Sequence, residues 1–238
     1  MLGLGNTLSG GIVPAAASFE NTYSIAFDAT DDFMVSGSNV SYDEGSFITW
    51  AKHTGTGNQI FWHVAGSYYL YRYSTDELRF RHPMTGSTNV TANINDGNWH
   101  CIVGTAEGGS GSSSTVKIYV DGSLVVTDTD TRTYTAPDDV ITFGAWPNPS
   151  LVLNGSLDEV GFWSSVLSAS EVTELYNSGT PIDLSSDAGD YSSSSNLLNW
   201  WRMGDGDTYP TIQDNEGSNN LTMTNMSSGD IEAEVPEE

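Results

Sequence analysis

The chain is 238 residues long, ordinary for one all-β sandwich with peripheral segments, and carries 7 Lys and Arg against 31 Asp and Glu, a formal charge of −24 at pH 7. Its cations are scattered, so polyphosphates and anionic bilayers are repelled; nucleic acid and membrane insertion are not expected, whereas divalent cations, neutral glycans and protein surfaces remain. The single cysteine, Cys101, rules out an intrachain disulfide and zinc patterns built on two or four cysteines, and reads as a small buried strand residue.

The first stretch, MLGLGNTLSGGIVPAAASFE, has no positive charge ahead of its apolar residues and none before Lys52, so it is not read as a secretory signal. Residues 1–18 are expected to form an extended leader, either a docking arm or an unstructured terminus. No apolar run of about 18 residues occurs, so no membrane-spanning helix is expected. Five N-x-S/T sequons, starting at Asn39, Asn89, Asn154, Asn220 and Asn225, reflect the abundance of Asn, Ser and Thr.

From residue 23 onward, short aromatic and β-branched stretches alternate with Gly, Asn, Asp and Ser clusters, the pattern of an antiparallel sandwich or barrel. Strands are expected near 23–28, 32–36, 46–53, 59–64, 68–73, 77–82, 87–93, 98–106, 115–120, 123–127, 139–145 and 156–163. Asp121 and Gly122, set between two apolar runs, predict a tight hairpin, and GGSGSSS at 108–114 a flexible loop. One short helix follows: Ser168 and Glu171 make a capping box, Leu167 and Val172 a hydrophobic staple, and Gly179 a stop. Its face of Val172, Leu175 and Tyr176 should pack on the sandwich. Residues 184–196 read as a polar linker, 197–226 as core-forming strands rich in Trp, Leu and Met, and 229–238 as an acidic tail of disordered composition.

Three strings in this order, DGNWH at 96–100, IYVDG at 118–122 and NGSLDEVGFWSSVLSASEVTELYN at 154–177, resemble the laminin-G-like branch of the concanavalin-A-like lectin/glucanase superfamily. That resemblance implies an all-β, two-sheet antiparallel jelly-roll sandwich over 19–183. LLNWWRMGDGDTYP, 197–210, is similar to the strand that opens many such modules, yet here it comes last. Three arrangements fit: a circular permutation in which 197–228 closes its own sandwich, a strand exchange with a neighbouring subunit, and a truncated second module.

The resemblance also implies site chemistry. Asp158 stands where several branches hold a structural calcium, and Asp28, Asp31 and Asp32 are the expected helpers; the alternative is that these acids cap turns. Retaining glucanases of the superfamily place both carboxylates on one strand as E-x-D-x-x-E, but no Glu in this chain is followed two residues later by Asp, and strand alternation sends Asp158 and Glu159 to opposite faces. A glycoside hydrolase is therefore not expected. His53, His63, His82 and His100 fall singly, without metallopeptidase spacing, and His100 reads as structural. For glycan binding, the candidates are Trp62, Tyr69, Tyr71, Tyr73, Arg79 and Trp146, aromatic faces beside a hydrogen-bonding cation, with core packing the competing assignment for each. Trp50, Trp99 and Trp163 are assigned to the core.

The acidic composition, the apolar leader, the single module and the WWRMGDG segment together resemble lectin-like structural proteins of marine tailed bacteriophages. The implied role is a non-catalytic virion component on capsid, tail or fibre. Its expected partners are other virion proteins or further copies of the chain, and its task either decoration or adhesion to host-surface polysaccharide. A free or cell-surface carbohydrate-binding lectin module is the alternative.

Overall fold

The structure, a computed structural model, describes residues 19–55, 57–73, 77–83, 85–92, 94–146 and 151–237. The leader at 1–18 and residues 147–150 of the GAWPNPSL loop lie outside them. In chain order the strands are β1 (Ser24–Asp28), β2 (Phe33–Ser36), β3 (Val40–Ser41), β4 (Gly45–His53), β5 (Gln59–Val64), β6 (Tyr68–Tyr73), β7 (Glu77–His82), β8 (Gly86–Thr91), β9 (Trp99–Glu107), β10 (Ser113–Val120) and β11 (Ser123–Thr131). They continue with β12 (Asp138–Asp139), β13 (Ile141–Phe143), β14 (Asn154–Trp163), helix α1 (Ala169–Tyr176), β15 (Leu197–Trp201), β16 (Thr211–Ile212), β17 (Leu221–Thr224) and β18 (Ile231–Glu232). Among the described residues they form two eight-stranded antiparallel sheets and a separate antiparallel pair, β3 with β12. The first runs β11-β10-β9-β4-β14-β1-β18, with β15 also on β14, and the second runs β16-β17-β2-β13-β5-β6-β7-β8.

Alternation decides what each strand buries. Phe47 and Ala51 of β4, Ile102 and Ala106 of β9, and Leu157, Val160 and Phe162 of β14 fill the space between the sheets, meeting Trp62, Leu70, Leu78 and Phe80 from the second sheet. The opposite side of the first sheet is also covered. Ile48, Trp50, Cys101, Val103 and Trp163 pack there beneath Leu167, Val172 and Leu175 of the helix region, with Trp99 only partly buried against them.

Helix α1 begins as its residues dictate: Ser168 and Glu171 form both arms of the capping box, and Leu167 and Val172 are buried together. Its left-handed stop is Asn177 (φ 42°, ψ 47°), two residues before the glycine assigned that role. Asp121 (φ 48°) and Gly122 (φ 73°) make the primed turn between β10 and β11. His100 then clamps that turn to the loop before β9, bonding Asp121 at 2.8 Å and Asp96 at 3.1 Å. Against burial, which alone would lower it, the two aspartates hold this imidazole above its usual pKa.

The closing segment lies among this chain's own strands. Along one edge of β14, β1 pairs with Asn154–Leu157 and β15 pairs with Val160–Trp163. Both are antiparallel to β14 and so run the same way; in space β15 precedes β1, though in sequence it follows. Strand β17 pairs with β2, and Trp201, Met203, Ile212, Leu221 and Met223 enter the central core.

Two neighbouring segments differ from their sequence assignment. Residues 184–196 are largely exposed but anchored to the first sheet: Leu184 and Tyr191 are buried, and the Tyr191 hydroxyl accepts from the Trp163 indole at 3.0 Å. In the acidic tail, Ile231 and Glu232 pair with β1, and Glu234 meets Lys52. Composition alone did not register these few apolar anchors among many polar residues.

Candidate functional site

The outer face of the second sheet carries an aromatic and cationic ladder. Alternation on β6 turns Tyr69, Tyr71 and Tyr73 outward while Leu70 enters the core and Arg72 is buried with its guanidinium donating to the Gly57 carbonyl. Register places Arg81 opposite Tyr69 and Arg79 opposite Tyr71 on β7. Arg79 sits 3.7 Å above the Tyr73 ring, donates to the Tyr71 hydroxyl at 2.8 Å and donates to Asn89 Oδ1 of β8 at 2.6 Å. Tyr69 and Tyr71 are 8% exposed, their rings edge-on to one another and bordered by Trp146 and the arginines. The groups open to a ligand are thus Tyr73, Arg79, Arg81, Asn89 and Trp146; the two inner tyrosines hold them in place.

Trp62 leaves this set. A bulge at Phe61 breaks the alternation of β5, so Ile60 faces out opposite Tyr71 whereas Trp62 faces in opposite Leu70. Its side chain is 0% exposed and donates to Thr49 Oγ1 at 3.0 Å inside the core. The same bulge brings out a residue that the sequence marked only as a solitary histidine: His63 lies on the outer face against Trp146, ring centroids 4.8 Å apart.

The expected metal ligands do not form one group. Asp28, Asp31 and Asp32 converge at the β1–β2 connection, with one carboxylate oxygen from each within 4.8 Å of the others. Burial, assisted by repulsion from Asp28, Asp230 and Asp31, pushes Asp32 up to about 6. Asp28 Oδ1 accepts from Thr30 N and Asp32 Oδ2 from Asp28 N, so the acids also cap the turn. Asp158 stands outside this group, 0% exposed, accepting from Asn21 Nδ2 at 2.7 Å.

A family model described as the concanavalin A-like lectin/glucanases superfamily matches residues 27–173, most of the first sheet and nearly all of the ladder-bearing face. The chain belongs to that superfamily. Among solved structures, a candidate carbohydrate binding protein from Bacteroides ovatus shares the fold, with a TM-score of 0.68 at 15% identity over 92% of this chain and 62% of that one. A native heptameric SAP-like pentraxin from Limulus polyphemus aligns with a TM-score of 0.54 at 12% identity, covering 85% of this chain and 94% of its own. No curated protein matches the chain in sequence.

Within this superfamily fold, the adjacent acids of β14 have an unexpected geometry. Simple alternation would separate Asp158 from Glu159, but a bulge lies between Asp158 and Gly161 in the pairing with β4, and Glu159 is left-handed (φ 42°). Both carboxylates therefore point away from the central core into one buried junction, where β15 ends and β1 begins. Glu159 accepts from the Trp200 indole at 2.5 Å and from Arg202 at 3.2 Å, and Asp205 accepts from Thr22 N at 2.9 Å. Backbone and side-chain donors that no continuous strand can satisfy here are met by acids. The pair is enclosed and fully engaged in holding the two half-strands together.

These acids set a pH dependence. Burial pushes both Asp158 and Glu159 above the ordinary carboxylate range, mutual repulsion adding to the shift of Asp158 while Arg202 opposes that of Glu159. Because the folded chain holds these protons and that of Asp32 more tightly than the unfolded chain, their contribution to stability is greatest below the unfolded pKa values and falls as pH rises through the folded ones. Burial holds His53, His63 and His82 near 4, and their contribution runs the other way, so the acids are read by difference: relative to the unaltered chain, Asp32→Asn should gain Tm on going from about pH 5 to about pH 7.5. A Tm difference between the two forms that stays constant over this window contradicts the assignment. Among the described residues, no helix is long and apolar enough to cross a membrane.

Proposed function

We propose that the chain is a non-catalytic carbohydrate-binding module that engages glycans on the outer face of its second sheet. The observation that carries this reading is the Tyr73–Arg79–Asn89 array flanked by Arg81 and Trp146: open aromatic surface beside charged and amide donors fixed by neighbouring tyrosines. A sugar presents the complementary surface, an apolar ring face with hydroxyls at its rim. The likeness to a candidate carbohydrate binding protein supports the same direction. Catalysis lacks support, since the superfamily's E-x-D-x-x-E arrangement is missing from the sequence and the one adjacent acid pair on β14 is buried. The test is incubation of the intact chain with polysaccharides: retention without release of shorter products supports the reading, and product release overturns its non-catalytic part.

Calcium is proposed at Asp28, Asp31 and Asp32 rather than at Asp158. Oxygens about 2.3–2.6 Å from one ion lie within about 5 Å of one another, which the separation of these three carboxylates satisfies. Binding would remove the repulsion that raises Asp32, so millimolar calcium should raise Tm relative to chelator, by an amount equivalent to about 2.7 kcal/mol at 100 times Kd. The response should disappear in Asp32→Asn; equal melts with calcium and chelator would remove the site.

Display on a virion surface, as decoration or host-polysaccharide adhesin, is the proposed setting. It rests on the resemblance of the WWRMGDG segment and on the acidic surface, and predicts the chain as a stoichiometric component of purified particles. Particles lacking it would sink the proposal.

A further inference from the structure

At one end of the ladder, a cleft of ≈ 400 Å³ opens between the β5–β6 turn and the β12–β13 region. His63, Thr142, Asp139 and Trp146 line it, with Ala65 and Gly66 at the turn. Ala65 at φ 49° and Gly66 at φ 64° are both left-handed, and Ser67 N donates to the Val64 carbonyl at 3.2 Å, a primed β-turn inside the three-residue connection from Val64 to Tyr68. Gly66 has a second use: a Cβ there would lie 3.2 Å from the Trp146 ring, so its absence lets the indole seat against the turn. Trp146 is consequently held from three sides, by Gly66, by His63 at 4.8 Å and by Tyr69 at 5.4 Å between centroids, and remains partly exposed.

His63 is the anomalous wall of this cleft. It is 4% exposed, and neither ring nitrogen makes a hydrogen bond of good geometry; the Ala145 backbone is the polar group that acts on the ring. Such a group is costly to leave unmet in an otherwise packed surface, and it borders space large enough for a ligand. Burial lowers its pKa to about 4, opposed by the Ala145 backbone and Asp139, so at neutral pH the ring is uncharged, with one N–H and one lone pair. That combination matches a hydroxyl, which both accepts and donates. Asp139 adds exposed acceptors, and no cation lines the cleft, so a carboxylated or sulfated ligand would meet only a negative charge.

We infer that this cleft is a subsite for an uncharged sugar ring, stacked on Trp146 with one hydroxyl paired to His63 and another reaching Asp139. The inference rests on the glycan-binding reading of the same face and sharpens it to neutral over acidic saccharides. It also divides the face into two parts: the Arg79 end binds the chain of the glycan, and the His63 end selects its charge.

The test uses the intact chain, two soluble probes, neutral laminarin and the uronic acid polymer alginate, and three forms: unaltered, His63→Phe and Arg79→Ala. The unaltered chain should bind laminarin and not alginate. His63→Phe should weaken laminarin binding about tenfold while its Tm stays level or rises, because an unmet buried polar group has been replaced by an aromatic ring of similar shape. In a parallel titration with glucose, the His63 imidazole signal, assigned by its loss in His63→Phe, should shift, and with glucuronate it should not. Laminarin binding that falls in Arg79→Ala but is untouched in His63→Phe overturns the subsite and leaves the glycan-binding face standing. Equal binding of alginate overturns the charge selection, and binding of neither polymer with no glucose shift overturns both.

Discussion

Trp201→Ala is expected to destabilise the chain by about 3–5 kcal/mol, while Leu198→Ala, three residues earlier on the same strand, should change stability by less than about 0.5 kcal/mol. Trp201 is 0% exposed, meets Phe143 and Phe162 edge-on, and donates its indole N–H to the Asn219 carbonyl at 3.0 Å. Its removal leaves both a large cavity between the two sheets and an unmet carbonyl. Leu198 is 41% exposed. For a domain of this size the loss corresponds to a Tm lowered by roughly 6–20 °C, a large part of a typical total stability. The contrast matters because it tests whether β15 closes this chain's own sandwich. If the two variants melt together, close to the unaltered protein, the segment is not a working part of the core.

That closing segment also shows how far residues alone carry the fold. Strands β5, β6 and β7 are legible to the residue because each is a short aromatic or β-branched run bounded by Gly, Asp or Pro. The helix is legible because its capping box is a local device that needs no tertiary partner. What pattern cannot supply is the bulge. One extra residue at Phe61 exchanges the faces of Trp62 and His63, taking a proposed ligand-binding tryptophan into the core and turning a histidine toward the outer face, where it is buried against Trp146. Another at Glu159 puts two acids on the side where alternation allows one. Neither bulge contains glycine or proline at the extra position, so nothing local marks it. Asp158 illustrates a further limit: its partner, Asn21, lies 137 positions away and becomes visible only once β15 and β1 abut.

The second large effect concerns binding. Arg79→Ala should weaken glycan affinity at least tenfold, equivalent to about 1.4 kcal/mol, without a matching loss of stability. The guanidinium makes three contacts that hold it flat over Tyr73, and it stands at the surface, where its donors can reach sugar hydroxyls. Removing it leaves Tyr71 and Asn89 near water, which can satisfy both, so the fold is spared. Arg72→Ala provides the opposite contrast. That arginine is 1% exposed on the inner face of the same strand as the tyrosines, and its loss should lower Tm and affect binding only through unfolding. Two arginines on adjacent strands, Arg72 on the inner face and Arg79 on the outer, thus separate stability from recognition on one sheet.

The most direct measurement is a calorimetric titration of the intact chain with soluble neutral polysaccharide, repeated with Arg79→Ala at a temperature where both remain folded. Saturable binding by the unaltered chain, weakened at least tenfold in Arg79→Ala with the melting curve unchanged, is the result predicted for a glycan-binding face on the second sheet. Saturable binding that Arg79→Ala leaves intact would place recognition elsewhere on the molecule, and no binding across neutral polysaccharides would contradict the function itself.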